Sequence, residues 1–287
     1  METPLLILFY PLSLLPLSLL YGLSALTRGI LFGMMGYRRD VLRDNLLHAF
    51  PEKTEKERED IRRRFERSFC DQWVETLKLL SMSRKELNRR VTGNWEVFEQ
   101  LNQEGRNVYV LLGHQFNWEW ASVACQWNSP QLFSGVYLPL ENKGFDELMK
   151  RIRTRGGGVL ISLKAFRDGL RQLEGKRYIL GLIADQNPSQ PDTAHWLPFM
   201  NRDTPFFRGT ESSARKAEAA VVFASFRKKR RGYYDVLFER KWNDANEAPA
   251  GAITEAYVSF LQEALRAQPE NWLWSHRRWK HKRNQEA

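Results

Sequence analysis

Cysteine is scarce in this chain: two in 287 residues, Cys70 and Cys125, with no short spacing between them. That excludes a disulfide framework or a zinc motif of paired thiolates, and it fits a reducing compartment. A G-x-S-x-G elbow is missing and no Ser-His-Asp arrangement stands out, which sets a serine hydrolase aside. Low-complexity tracts and internal repeats are absent as well. Negative charge is the minority sign, with 34 Asp and Glu against 44 Lys and Arg and a net charge of +10. Such a balance points to an acidic partner: nucleic acid, an anionic membrane surface, a phosphorylated lipid or an acidic protein. A chain of this length can bury one sizeable core or two small ones.

Charge is lacking altogether from Thr3 to Thr27. Leu5 through Leu26 is long enough to cross the roughly 30 Å hydrocarbon layer as a helix. Pro4, Pro11 and Pro16 disturb a straight helix, so a kinked span and a helix in the interface both fit. A cleaved signal peptide is disfavoured, because Glu2 replaces the usual basic start and no small-x-small site follows. Arg28, Arg38, Arg39 and Arg43 flank the apolar run, and the positive-inside rule then places the body in the cytoplasm. The expected organisation is a membrane anchor over residues 1–37 and a polar domain over 38–287. The mean hydropathy of −0.53 fits a polar body on a short anchor.

Thr54-Glu55-Lys56-Glu57 is a capping box. Ile61, Phe65, Phe69, Trp73, Leu77 and Leu80 follow at helical spacing and predict one apolar face on a long helix. Beyond residue 105 strands are expected at 107–112, 132–137, 158–161, 178–183, 220–226 and 233–240. Helices are expected at 117–127, 143–154, 165–174, 209–219 and 250–267. This alternation predicts an α/β fold, a sheet with helices on its faces. Residues 186–207, with four prolines, read as a long irregular loop flanking a site.

Sites in such sheets collect at the carboxyl ends of strands. The run Val108 to Leu112 ends in Gly113-His114-Gln115-Phe116-Asn117-Trp118-Glu119. A His can take a proton near neutral pH, and a nearby carboxylate can orient it. Five residues on one helix are about 140° apart, so His114 must lie in the turn and Glu119 in the first helical turns for the two to meet. This chemistry needs neither a metal nor a cofactor. Asp185, after the apolar run Tyr178 to Ala184, is a second candidate at a strand end, suited to position an arginine or a substrate hydroxyl.

Arg151, Arg153 and Arg155 precede Gly156-Gly157-Gly158, where arginine forks suit phosphate or carboxylate and glycine lets a backbone approach. The order is not that of a P-loop. Arg227, Lys228, Lys229, Arg230 and Arg231 read as a hairpin tip reaching for anionic headgroups. Arg277 and Arg278, among Trp272, Trp274 and Trp279, read as interface-seeking. No stacking array or recognised motif for nucleic acid accompanies these basic runs.

Taken in order, these stretches resemble the bacterial lipid A biosynthesis acyltransferases, the late acyltransferases related to lauroyl and myristoyl transferases within the lysophospholipid acyltransferase superfamily. The resemblance is carried by the apolar N-terminus, Asn45 to Pro51, the His114-x4-Glu119 block, Tyr137 to Asn142, the run 151–158, Ala184-Asp185-Gln186, Pro205 to Thr210 and Pro269 to Lys280. It implies a glycerolipid acyltransferase-like mixed sheet flanked by helices behind the anchor helix. It implies acyl transfer from acyl-carrier protein to a hydroxyl of a lipid A precursor at the cytoplasmic face of the inner membrane. His114 is then the general base and Glu119 its partner, with Arg153, Arg155, Asp185 and Asn117 binding substrate or stabilising charge. The partners expected are acyl-carrier protein, an anionic lipid acceptor and the membrane, and not nucleic acid. A related enzyme acting on an amino lipid, glycolipid or lysophospholipid is the alternative, and a non-catalytic lipid-binding protein a more distant one.

Overall fold

The computed structural model describes residues 4–283. The N-terminal segment folds as α1 (Pro4–Leu14), α2 (Leu17–Arg28) and a π-helical extension, Gly29–Met34. Then come α3 (Arg39–Ala49), the long α4 (Glu55–Lys78), α5 (Arg84–Arg90), β1 (Val91–Gly93) and α6 (Glu96–Gln103). The alternating region runs β2 (Val108–Leu112), α7 (Trp118–Asn128), β3 (Leu132–Tyr137), α8 (Lys143–Arg153), β4 (Val159–Ser162), α9 (Phe166–Arg171) and β5 (Tyr178–Ile183). It continues through β6 (His195–Phe199), β7 (Arg202–Phe206), α10 (Arg208–Lys216), β8 (Ala220–Arg230), β9 (Tyr233–Trp242) and α11 (Ala252–Ala267).

Seven strands form one sheet in the order β1-β9-β8-β2-β5-β3-β4, in which only the β8–β9 pair is antiparallel. The mixed α/β sheet flanked by helices is therefore present. β2 and β5 lie side by side, Leu112 opposite Ile183, so the chain leaves both strands at one place. Alternation along the central strands divides the core. Tyr109, Leu111, Leu180, Leu182, Val221 and Phe223 pack on one face with α11 and the terminal tryptophans. Val108, Val110, Ile179 and Val222 pack on the other with α7 and Trp120. Cys70 and Cys125 are free and buried, and burial pushes both thiols up to about 12, so they are inert packing residues.

Two expectations need correction. Residues 186–207 are not irregular throughout, because β6 and β7 form a two-stranded hairpin inside them. Met200 and Asn201 both have positive φ, as a tight hairpin turn needs, and Pro198 and Pro205 are tolerated in an isolated two-stranded ribbon. The capping box starts α4 as expected, but Trp73 points outward at 62% exposure. The buried stripe of α4 instead carries Glu66, Asp71, Gln72 and Glu75 among its apolar residues.

The N-terminal helices do not stand apart from the rest. α1 packs on α4 and α8, and α2 packs on α4. The stretch Leu17–Met34 is one helix long and apolar enough to cross a membrane.

Candidate active site

His114 lies in the turn after β2, and Asp185 in the turn after β5. The Ala184 N–H donates to the Leu112 carbonyl at 3.0 Å, extending the ladder to the edge of the site. Asp185 is 1% exposed and accepts three hydrogen bonds. His114 Nδ1–H donates to Oδ1 at 2.5 Å, and the His114 backbone N–H donates to Oδ2 at 2.7 Å. The third comes from the Trp272 indole N–H, also to Oδ2, at 2.5 Å. Burial by itself would push the Asp185 carboxyl up, but the His114 ring, its N–H and the indole together hold it below the usual carboxylate value. An ionised Asp185 places the hydrogen on Nδ1, which leaves a lone pair on Nε2. That lone pair faces the Gln186 amide, with Nε2 of each residue 2.9 Å apart. Trp118 packs edge-on to the imidazole.

Gly113 leaves room for Leu261 and Asp185 to close on the turn. A Cβ there would lie 3.1 Å from Asp185 Oδ2 and 2.7 Å from Leu261 Cδ1. Asn271 braces the next turn: its Oδ1 accepts from the Phe116 N–H at 3.0 Å and its Nδ2 donates to the Phe226 carbonyl. Tyr257 closes the floor by donating to the Leu112 carbonyl at 2.7 Å.

Glu119 falls in the first turn of α7, as the spacing required, and an acidic residue there is favoured by the helix dipole. Its carboxylate, however, is gripped by Arg153, with Nε at 3.0 Å from Oε2 and Nη2 at 2.6 Å from Oε1. The orientation of the imidazole thus falls to Asp185 instead of Glu119, and Asp185 positions a histidine rather than an arginine. Both corrections have one cause. The α7 axis turns Glu119 toward the end of α8, whereas the parallel pairing of β2 and β5 brings Asp185 beside His114.

Asn117 does not present its amide to a substrate. It is 1% exposed; Oδ1 caps α7 through the Trp120 N–H, and Nδ2 donates to Glu75 Oε2 at 2.8 Å. Glu75 also accepts from Tyr234 and Tyr21, at 2.7 and 2.8 Å. Arg155 turns away to the Leu79 carbonyl and stacks over Trp127. The glycines after it serve packing: the Gly156 and Gly158 N–H groups both donate to Gln126 Oε1, where any Cβ would collide with that side chain.

The basic hairpin tip is present between β8 and β9, but part of it is spent inside the protein. Arg231 pairs with the buried Asp71 at 2.5 Å, and Lys228 donates to Ser68 and lies 3.8 Å from Asp71. Lys229 reaches Thr92 and Asp235, Arg230 stacks on Tyr233, and Arg227 is exposed. Arg277 is exposed too. Arg278 is fully buried, donating to the Asn187 side chain and the Pro205 carbonyl beneath the Phe206 ring. Trp272 and Trp274 are core residues rather than interface anchors.

Sequence reasoning gave Gln186, Trp272, Asn271 and Glu75 no place at the site. Gln186 follows Asp185 directly, and Glu75 lies four residues after Asp71 on a helix. Those placements were the available signals. Asn271 and Trp272 stand in the aromatic and basic run read above as interface-seeking, and nothing local ties them to His114, because they reach the site from the far end of the chain.

The family model for bacterial lipid A biosynthesis acyltransferases matches residues 5–281. No curated protein matches the chain.

Proposed function

The chain belongs to the bacterial lipid A biosynthesis acyltransferase family, and on that premise we propose that it moves a fatty acyl group from acyl-carrier protein to a hydroxyl of a lipid A precursor. The single observation that carries the reading is the His114–Asp185 pair at the adjacent ends of β2 and β5. The acceptor hydroxyl takes the place of the Gln186 amide at His114 Nε2. Nε2 removes its proton as the oxygen attacks the thioester carbonyl. Asp185 holds Nδ1–H and offsets the imidazolium charge. Collapse of the tetrahedral intermediate breaks the carbon–sulfur bond, and His114 returns the proton to the departing thiolate. General-base help of this kind contributes on the order of 10²–10⁴ in rate. No acyl-enzyme is needed, since the thioester is already activated.

Arg153 keeps its charge beside Glu119 and serves the negative charge of the acceptor or of the developing oxyanion. The excess of basic residues supports acidic partners on both sides, acyl-carrier protein and a phosphorylated lipid. The apolar residues 1–37 supply the membrane attachment of a catalytic body, 38–287, on the cytoplasmic face of the inner membrane.

The test is to incubate the purified protein with acyl-carrier protein thioesters of several chain lengths and a lipid A precursor, and to weigh the products. A mass gain of one acyl group on the precursor is expected, together with its loss in His114→Ala. Wild-type rates in His114→Ala would overturn the mechanism. Acylation of a lysophospholipid or glycolipid in place of the precursor would overturn the choice of acceptor.

A further inference from the structure

We propose that α1, α2 and the π-helical extension lie in the plane of the membrane surface, docked on the catalytic body, and do not cross the bilayer. The proposal rests on the membrane reading above and specifies how the anchor meets the lipid.

The docked face of the N-terminal segment is polar in its centre. Ser24 Oγ donates to Asp71 at 2.6 Å, and the Tyr21 hydroxyl donates to Glu75 at 2.8 Å. Arg231 bridges the same place, pairing with Asp71, donating to the Tyr21 carbonyl and stacking on the Tyr21 ring. At one end Lys78 Nζ donates to the Ser13 and Leu15 carbonyls at 2.8 and 3.0 Å. At the other, Phe32 packs edge-on against Phe65 and Phe69. The contact therefore runs antiparallel from Ser13 beside Lys78 to Phe32 beside Phe65. That occupies nearly the whole of α2 and its extension.

Leu17–Met34 has the length to span. Threading it through hydrocarbon has only two outcomes. Either α4, charged along its length, enters the lipid with Asp71, Glu75 and Arg231, or the bonds that Ser24, Tyr21 and the Ser13 and Leu15 carbonyls make to the body all break. Charged groups in the hydrocarbon core are costly, and undocking takes from Asp71 and Glu75 the hydrogen bonds of the Ser24 and Tyr21 hydroxyls.

The opposite face fits a lipid interface. Ile7, Leu14, Leu19, Leu23, Leu26 and Ile30 are all exposed there. Arg38, Arg39 and Arg43 follow these helices in the chain and are exposed, with Arg38 also donating to the Ser275 carbonyl. An exposed apolar stripe followed directly by arginines matches an anionic membrane surface, with acyl chains under the stripe and headgroups for the guanidinium groups. A cavity of about 370 Å³ lies where α1 meets α8, lined by Leu6, Ile7, Tyr10 and Pro11 of α1 and Arg151 of α8. Its apolar wall and single guanidinium repeat the same chemistry.

The experiment uses the full chain with a protease site and epitope before Met1 and a second pair after Ala287, expressed in a bacterial host. Protease is added to sealed inner-membrane vesicles with the cytoplasmic face outward, and separately to spheroplasts. Both ends are expected to be cut in the inverted vesicles and protected in the spheroplasts. Ends cut from opposite sides would overturn the in-plane arrangement while leaving the membrane location intact. Protein that never sediments with membranes would overturn the membrane reading, and this inference with it. As a second measurement, L23D/L26D protein is tested for flotation with phosphatidylglycerol-containing vesicles. Loss of binding by roughly tenfold or more is expected, with an unchanged circular dichroism spectrum. Undiminished binding by the folded variant would overturn the assignment of this face.

Discussion

Arg153 holds Glu119 through two prongs of its guanidinium, Nε at 3.0 Å and Nη2 at 2.6 Å from separate carboxylate oxygens. The carboxylate is buried and the arginine mostly so. The pair joins the first turn of α7 to the last turn of α8. It engages Glu119 in an ion pair while leaving the histidine to Asp185. The motif spacing of His114 and Glu119 therefore places a histidine in the turn and a clamp on the helix behind it; on the proposed mechanism the histidine is the base.

Removing one half of that clamp is expected to cost more than removing both. Arg153→Ala leaves Glu119 buried without a partner and is expected to destabilise the fold by about 3–5 kcal/mol. Glu119→Gln combined with Arg153→Met should recover part of that loss, because no uncompensated charge stays buried. Urea unfolding of the single and double variants measures the coupling. Strict additivity would mean that the ion pair is not the unit of stability here.

Asp185→Asn tests the orienting role directly. The amide cannot balance an imidazolium, and it favours the wrong tautomer of His114 by offering an N–H where an acceptor is needed. A fall in kcat on the order of 10²–10⁴ is expected, with KM little changed because Asp185 is buried behind the imidazole. Glu119→Gln should instead weaken the hold on Arg153 and move KM. The two variants thus separate the partner that the spacing suggested from the one the fold supplies.

The strands and helices beyond residue 105 were legible because each carries its own period and its own stops. Thr54 and Glu57 likewise announced the start of α4 by local chemistry alone. Asp185 was visible as a polar residue at the end of a very apolar strand, but its partner was not. Nothing within seventy residues of Asp185 says that β5 will lie next to β2. The burial of Arg278 and the terminal tryptophans was hidden for the same reason. Alternating aromatic and basic residues suit an interface as well as a core, and only the hairpin β6–β7 and α11, folding over them, decide between the two. The stripe of α4 misled because helical periodicity counts apolar residues, while Asp71 and Glu75 are buried by partners on other segments.

His276 predicts an acid-sensitive stability. Burial, followed by the nearby His114, lowers its pKa from the ordinary 6.5 to about 4, with Arg278 and Arg38 acting in the same direction and Asp185 opposing. The unfolded chain therefore binds a proton near pH 6.5 that the folded protein refuses until about pH 4. Stability contributed by the neutral ring is complete above the unfolded value and is lost progressively as the pH falls through that window. Asp185, whose folded pKa is also lowered, adds a second loss at still lower pH. Urea midpoints measured from pH 7 down to pH 4 should fall less steeply in His276→Gln than in the parent. Identical slopes would rule out His276 as the source.

Gly113→Ala probes how closely the two strand ends must approach. The added methyl would sit 2.7 Å from Leu261 Cδ1 and 3.1 Å from Asp185 Oδ2. Leu261 is fully buried on α11, so it cannot swing into solvent. Relief has to come from widening the gap between the turn after β2 and the floor formed by α11. That movement lengthens the bonds from His114 to Asp185, because both the ring and the backbone N–H of His114 donate to the same carboxylate. An overpacked methyl of this kind destabilises by about 1–3 kcal/mol. On the proposed mechanism a larger effect is expected on the rate, since a base held out of line loses part of its 10²–10⁴ contribution. The measurement is kcat at a temperature where the variant is fully folded, alongside the urea midpoint. A loss of stability with full kcat would show that Asp185 follows His114 when the turn moves, and that the pair tolerates displacement as a unit.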